Sequence, residues 1–309
     1  MAGPRFLKSN FSDLYGSSQL PALELLFRHE LPMHEGIRGQ LANVKSTERD
    51  IWQMTATHDI DLFSQVSEGE DYSFVSSKQG ASKTLSIIKY GLGVSISEEA
   101  IADGKFDELA DLIKKLARSA QESREIAFVN LFNNGFSSET TPDGVAALSA
   151  SHTLPSGGTY SNVLAVASDL SESSLQTARY LFSTAFIGDT GIIYKMKPKV
   201  LLVHPANEAY AEELVGSSLK PDSNDNNLNS LLKHQIKVIS SPHLTDEDAW
   251  FLLSDKSDVG CVIVEREGIV TKAGGPAVGF MNDSVLYKSR YREALGWIHA
   301  YGMIGTPGA

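Results

Sequence analysis

The chain has 309 residues, 42% hydrophobic and 21% charged, a globular composition large enough for one big domain or two lobes on a shared core. A formal charge of −11 with no basic run argues against gripping DNA or RNA through counterion release. No apolar run reaches the roughly 18 residues of a membrane span, Met1 to Tyr15 lacks the apolar core of a secretion signal, and the single cysteine, Cys261, excludes an intrachain disulfide or a thiolate metal cluster.

In chain order, residues 1 to about 60 mix aromatic, polar and Gly/Pro-rich pieces around one short helix. Ala22 to Arg28 is apolar at helical spacing, Pro21 suits its first turn, and Pro32 and Gly36 stop it. Such a stretch needs a partner surface to become ordered. Residues 60–86 are polar, with Glu68, Glu70 and Asp71 in the first half and Lys78 and Lys83 in the second. Tyr72 to Val75 reads as a strand by alternation, with Leu85 to Ile88 and Gly93 to Ile96 returning. A two-stranded excursion of this kind is marginal alone, which predicts that it lies on another subunit.

The strongest local signal runs from 105 to 133. Leu109, Ile113, Leu116, Ala120, Ala127 and Leu131 share one helical face, and Asn133-Asn134-Gly135 ends it. About 28 residues at 1.5 Å each span roughly 42 Å. A Gly/Ser/Thr/Pro-rich region, 136–162, precedes alternating helices and strands: a helix over Ser171 to Phe186, a buried strand over 199–204, a helix from Pro205 to Glu213, an exposed loop at 222–229, and strands at Ile236 to Ile239, Trp250 to Leu253 and Cys261 to Glu265. Val285 to Met303 is strand-like and is predicted to cross back to the first lobe.

Catalytic signals are weak. His29 and His34 are five apart, so they do not share a helix face as paired zinc ligands do. Gly91-Leu92-Gly93 starts like a dinucleotide loop, but Ile96 stands where the third glycine belongs. Asp222, Asn224 and Asn226 mimic a calcium loop that lacks its turn glycine and its bidentate Glu. Ser151-His152 lacks the glycine-flanked elbow of a serine nucleophile; a non-standard hydrolase there is the weaker alternative. No catalytic residue, cofactor or metal site is assigned, and the pattern points to a structural protein.

Several stretches resemble the major capsid proteins of tailed bacteriophages, and among them the Mu-like head subunit group. These are Pro142-Asp143-Gly144, Ser149 to Leu154, Gly157 to Asn162, Pro198 to Pro205, Asn226 to Asn229, Val238 to Leu244 and Asp248 to Leu253, in that order and spacing. The resemblance covers roughly residues 50–300. It implies the α+β fold first described for the Hong Kong 97 phage: an N-terminal arm and the start of the peripheral domain (1–59), an extended loop formed as a β-hairpin (60–86), a peripheral domain with a long spine helix (87–139), an axial domain (140–280), and return strands to the C-terminus (281–309). It further implies self-assembly into pentamers and hexamers of an icosahedral head in the virion, around double-stranded DNA that is not read by sequence. Synthesis is expected in the host cytoplasm, with no membrane partner. No long N-terminal helical segment is seen, so a separate scaffolding protein is expected, besides a portal and decoration proteins. Glu68, Glu70, Asp71, Phe74, Val75, Lys78, Lys83, Leu85 and Ile87 are the expected intersubunit contacts, the apolar ones dominating. An encapsulin-like nanocompartment shell is the alternative on the same fold.

Overall fold

The computed structural model describes residues 20–34, 36–57, 60, 62–69, 71, 72, 74, 79–97, 99, 106–154, 157–188, 190–218, 228–273 and 284–309. Two long elements set its frame. Helix α3, Phe106–Asn133, has 28 residues and lies against a four-stranded sheet whose longest strand, β11 (Ser284–Trp297), has 14. At about 1.5 Å per helical and 3.3 Å per strand residue these are roughly 42 and 46 Å long, so helix and sheet match along their whole length. The sheet runs β1 (Asn43–Ser46), β10 (Cys261–Ala273), β11, β4 (Ile88–Ser97). β1 pairs parallel to β10; the other two ladders are antiparallel. The return of Val285 onward to the first lobe is therefore realised by pairing with β4.

The two sheet faces differ, as period-2 alternation requires. Tyr287, Ser289, Tyr291 and Glu293 are buried beneath α3, whereas Leu286 and Lys288 on the other face are exposed. Helix α1 (Leu20–Glu30) contributes Leu26 and Phe27 to the same layer, packed with Ile96, Ile113, Leu116, Ala117 and Tyr287.

The second lobe holds a sheet in the order β12 (Met303–Thr306), β9 (Trp250–Leu253), β7 (Val200–Val203), β8 (Lys237–Ser240), flanked by α4 (Glu172–Thr184) and α5 (Glu208–Gly216). Ser171 caps α4: its hydroxyl accepts the Ser174 amide, and its own amide donates to the Ser174 hydroxyl. Both central strands read as continuous apolar runs because helices or the first lobe cover both faces. One core joins the lobes: Phe132, near the C-terminal end of α3, packs edge-on against Phe128, Phe251 and Trp297 at centroid distances of 5.6, 5.3 and 5.3 Å.

A separate two-stranded hairpin, β2 (Ile51–Thr57) with β3 (Gln79–Ser86), projects from the first lobe. The hairpin predicted over 60–86 is thus present with different strands. Tyr72 and Phe74 stand in irregular backbone, and the returning strand starts at Gln79. Among the described residues Tyr72 and Phe74 have neither a paired strand nor a core beneath them, which a two-stranded ribbon needs to stay ordered. The exposed loop predicted at 222–229 lies outside the described residues except for Leu228 and Asn229.

Candidate functional site

At the root of the hairpin, Leu85 is 7% exposed and packs against Val262, Val264 and Ala294 on the face of the long sheet opposite α3, with Trp52 and Ile87 beside it. A β-carbon on Gly296 would lie 2.7 Å from Leu85 Cδ2, so the glycine is what lets the leucine close on the strand. Lys83 donates to the carbonyl and hydroxyl oxygens of Thr140 at 2.8 and 3.1 Å. Lys83, Leu85 and Ile87, expected at intersubunit contacts, are thus also engaged at the root of the hairpin. Their partners are in their own chain, because the sheet face they reach is the hairpin's own anchorage.

The tip is different. Ile60, Leu62, Phe63, Tyr72 and Phe74 are 69, 69, 107, 74 and 96% exposed. Glu68 and Asp71 stand exposed among them. Among the described residues these five large apolar side chains have nothing to bury against, the pattern of an interaction surface. Glu70, Val75 and Lys78, the other expected contacts, lie outside the described residues.

Beyond the root, the same sheet face carries Lys89, Lys272, Lys288 and Arg290 around a trough of about 800 Å³ floored by Gly91 and Gly93. Arg290 is paired with Glu267 at 2.9 Å, and Asp50 pairs with Arg266 and Arg292 nearer the root. Lys89, Lys272 and Lys288 thus border the trough together, while the arginines of this face are paired with carboxylates.

The opposite face is held to α3 by a buried charge cluster that sequence reasoning missed. Glu293, 2% exposed, accepts from Arg38 (2.9 Å) and twice from Arg124 (3.0 and 2.9 Å); Glu265 accepts from both arginines as well. Two positive and two negative groups balance, which is what such burial requires. Burial opposes the Arg124 charge, but Glu293 and then Glu265 outweigh it and hold the guanidinium above its ordinary value. Next to it, Glu125 accepts the Ile37 amide at 2.9 Å, and a side chain on Gly36 would collide with that carboxylate. The cluster ties helix α2 (Arg38–Leu41), α3, β10 and β11 at one point. A signal existed: Arg124 falls on the apolar face of α3, eleven residues after Ile113 and four before Phe128.

His152 is fully buried. Its Nδ1 lies 2.8 Å from Asp143 and its Nε2 3.2 Å from Asn162, while Asn162 also donates to the Ala147 carbonyl at 2.7 Å and accepts the Ser149 amide at 2.8 Å. The ring stacks on Tyr160 at 5.1 Å. With both ring nitrogens engaged, none is left to activate Ser151. Burial alone would raise the Asp143 carboxyl, but hydrogen bonds from His152, Thr141 and the Val145 amide hold it below the usual range. The motif residues of 142–162 thus brace a loop. Burial pushes the Cys261 thiol up, as expected of an inert buried hydrophobe. Among the described residues no group of His, Cys, Asp and Glu is arranged to hold a metal, and no helix is long and apolar enough to cross a membrane.

Comparison with known proteins agrees with this architecture. The family model described as phage capsid protein matches residues 80–304. The match is to the family as a whole and does not single out the Mu-like group. No curated protein sequence matches the chain. Among solved structures, the virus-like particle from Pyrococcus furiosus is similar at 12% identity and TM-score 0.58, over 93% of this chain and 98% of that one. The Mycobacterium phage Adephagia protein is similar at 13% and 0.55, over 88% and 89%. The procapsid protein of bacteriophage JBD30, computed in I4 symmetry, is similar at 12% and 0.51, over 94% and 75%. At such identities the likeness is one of fold.

Proposed function

The chain belongs to the phage capsid protein family, as a structural shell protein of the Hong Kong 97 type, and from that premise we propose that copies of it close into pentamers and hexamers of an icosahedral phage head around double-stranded DNA. The observation that carries this reading is the hairpin: a root anchored in its own chain and a tip whose five large apolar residues are exposed. A closed shell repeats one interface by symmetry and gives every tip a neighbour to lie on. Ordering and burial of the tip then become intermolecular, and each subunit buries more than the roughly 1,600 Å² of a standard interface.

The division of labour follows the resemblance. Residues 1–59 form the arm and the start of the peripheral domain, 60–86 the extended loop, 87–139 the spine-helix region, 140–280 the axial domain and 281–309 the return. Glu68, Glu70, Asp71, Phe74, Val75, Lys78, Lys83, Leu85 and Ile87 are the intersubunit contacts of the loop, the last three also anchoring its root, and the exposed charge pairs contribute only about 0–1 kcal/mol each. A separate scaffolding protein, a portal and decoration proteins complete the particle, which forms in the host cytoplasm. The duplex is enclosed and not gripped, in keeping with the charge of −11. Electron microscopy of the purified protein tests the proposal: closed particles are expected, and particles released from cells should carry DNA. Particles that instead carry protein cargo would support the encapsulin-like alternative.

A further inference from the structure

We propose that the trough on the long sheet binds a chain of linked phosphates, either a free oligophosphate or the polyphosphate arm of a nucleotide. Lys89, Lys272 and Lys288 supply the charge, and Gly91 and Gly93 open the floor. The site goes beyond the shell reading and does not depend on it.

The strand ladders put these residues on one face. Lys288 of β11 stands directly opposite Lys272 of β10 on one side and Gly93 of β4 on the other. Two residues along β11, Arg290 is opposite Gly91, and two further on Arg292 is opposite Lys89. Directly opposed residues share a face with β-carbons about 5 Å apart, and like charges in that position are destabilising. The arginines of this face avoid the cost, since Arg290 pairs with Glu267, and Arg266 and Arg292 pair with Asp50. The lysines do not. All three are exposed, and among the described residues no Asp or Glu lines the trough. Acidic residues outnumber Lys and Arg by 38 to 27 in this chain, so carboxylates are plentiful and three lysines left without one call for a reason. Protection of a sheet edge accounts for Lys89 on β4 but not for Lys288, whose strand is paired on both sides.

Shape and chemistry select the ligand. A trough of about 800 Å³ lies within the roughly 300–1,000 Å³ of small-molecule sites. Gly91 and Gly93 leave backbone where side chains would otherwise fill it. A planar carboxylate is met best by a guanidinium fork, and the arginines here are already committed. Lysine is a compact point charge that meets phosphate oxygens from any direction. Linked phosphates also bring several negative charges into one small ligand, matching three converging ammonium groups, whereas an acidic peptide spreads its charges along a chain. Duplex DNA fits less well. Three phosphate contacts give a log–log salt slope of only about −2.7, and the net charge of −11 repels the rest of the duplex. Occupancy removes the repulsion between Lys272 and Lys288, so the ligand stabilises the folded chain by mass action.

Titration calorimetry of the purified full-length protein with sodium tripolyphosphate, at fixed ionic strength, tests this. Saturable binding is expected, about tenfold or more tighter than orthophosphate, with a Tm that rises with ligand concentration. Lys272→Gln and Lys288→Gln should each weaken binding about tenfold, while Lys288→Arg retains most of it. Gly93→Val should block the floor and keep the fold, because its β-carbon would meet the Lys288 β-carbon at 3.5 Å, an ordinary contact. Lys115→Gln, on the exposed side of α3, should change nothing. ATP binding as tightly as tripolyphosphate would support the site as one for a nucleotide arm; tripolyphosphate binding alone would support a free oligophosphate. Orthophosphate binding equally well, or a loss at Lys115→Gln equal to that at Lys288→Gln, would overturn the proposal. So would tighter binding of a tetraglutamate peptide or of a short DNA duplex, which would assign the trough to a protein or to nucleic acid.

Discussion

Glu293 shows what one residue does in this fold. Its carboxylate takes hydrogen bonds from two buried arginines, so Glu293→Ala leaves both to share the single carboxylate of Glu265. A loss of about 3–5 kcal/mol is expected in urea unfolding of the subunit. Leu85 and Phe74, both expected at intersubunit contacts, differ in their packing within the chain. Leu85→Ala should cost the subunit about 2–5 kcal/mol, because its cavity opens within the chain, whereas Phe74→Ala should stay within about 0.5 kcal/mol for the subunit and impair assembly. Asp143 carries a sign that can be checked. Its folded carboxyl is held below the usual range, so its contribution is present above the unfolded value near 4 and is lost as pH falls through the lower folded value. Asp143→Asn should therefore lower Tm at neutral pH and narrow its gap to wild type in strong acid. Of the charge cluster only Arg124 left a trace, a charge on the apolar face of α3; its partners, 141 and 169 residues away in sequence, were not legible. The burial of His152 between Asp143 and Asn162 was not legible, since both partners were seen only as motif letters.

At the scale of elements, legibility followed periodicity. Helix α3 was readable to within a residue because its apolar face repeats over seven turns and Gly135 follows it. The hairpin was readable as an excursion and not as strands. Tyr72 to Val75 has strand composition, but β-propensity expresses packing against neighbours, and among the described residues Tyr72 and Phe74 are left exposed. β10 and β11 run longer than their apolar cores suggest, since charged residues such as Glu265 and Arg290 continue the ladders. Replacing residues 62–74 by a short Gly/Ser turn keeps β2 and β3 paired. Circular dichroism and subunit unfolding should remain near wild type while particles disappear by electron microscopy.

Among the described residues the two lobes share one core, and the hairpin projects from it. Helix, long sheet and second lobe share the core around Phe132, whereas the tip has no core of its own. The net charge fits a container: the purified subunit should show no tight, steeply salt-dependent binding of duplex DNA by fluorescence anisotropy. The central claim is that the tip completes its burial on identical neighbours. Sedimentation velocity of the full-length protein beside the tip-shortened protein, over a rising concentration series, tests it most directly. The full-length chain is predicted to shift from small species into closed particles while the shortened chain stays small. A full-length chain that remains monomeric at high concentration, or a shortened chain that still closes, would contradict the account.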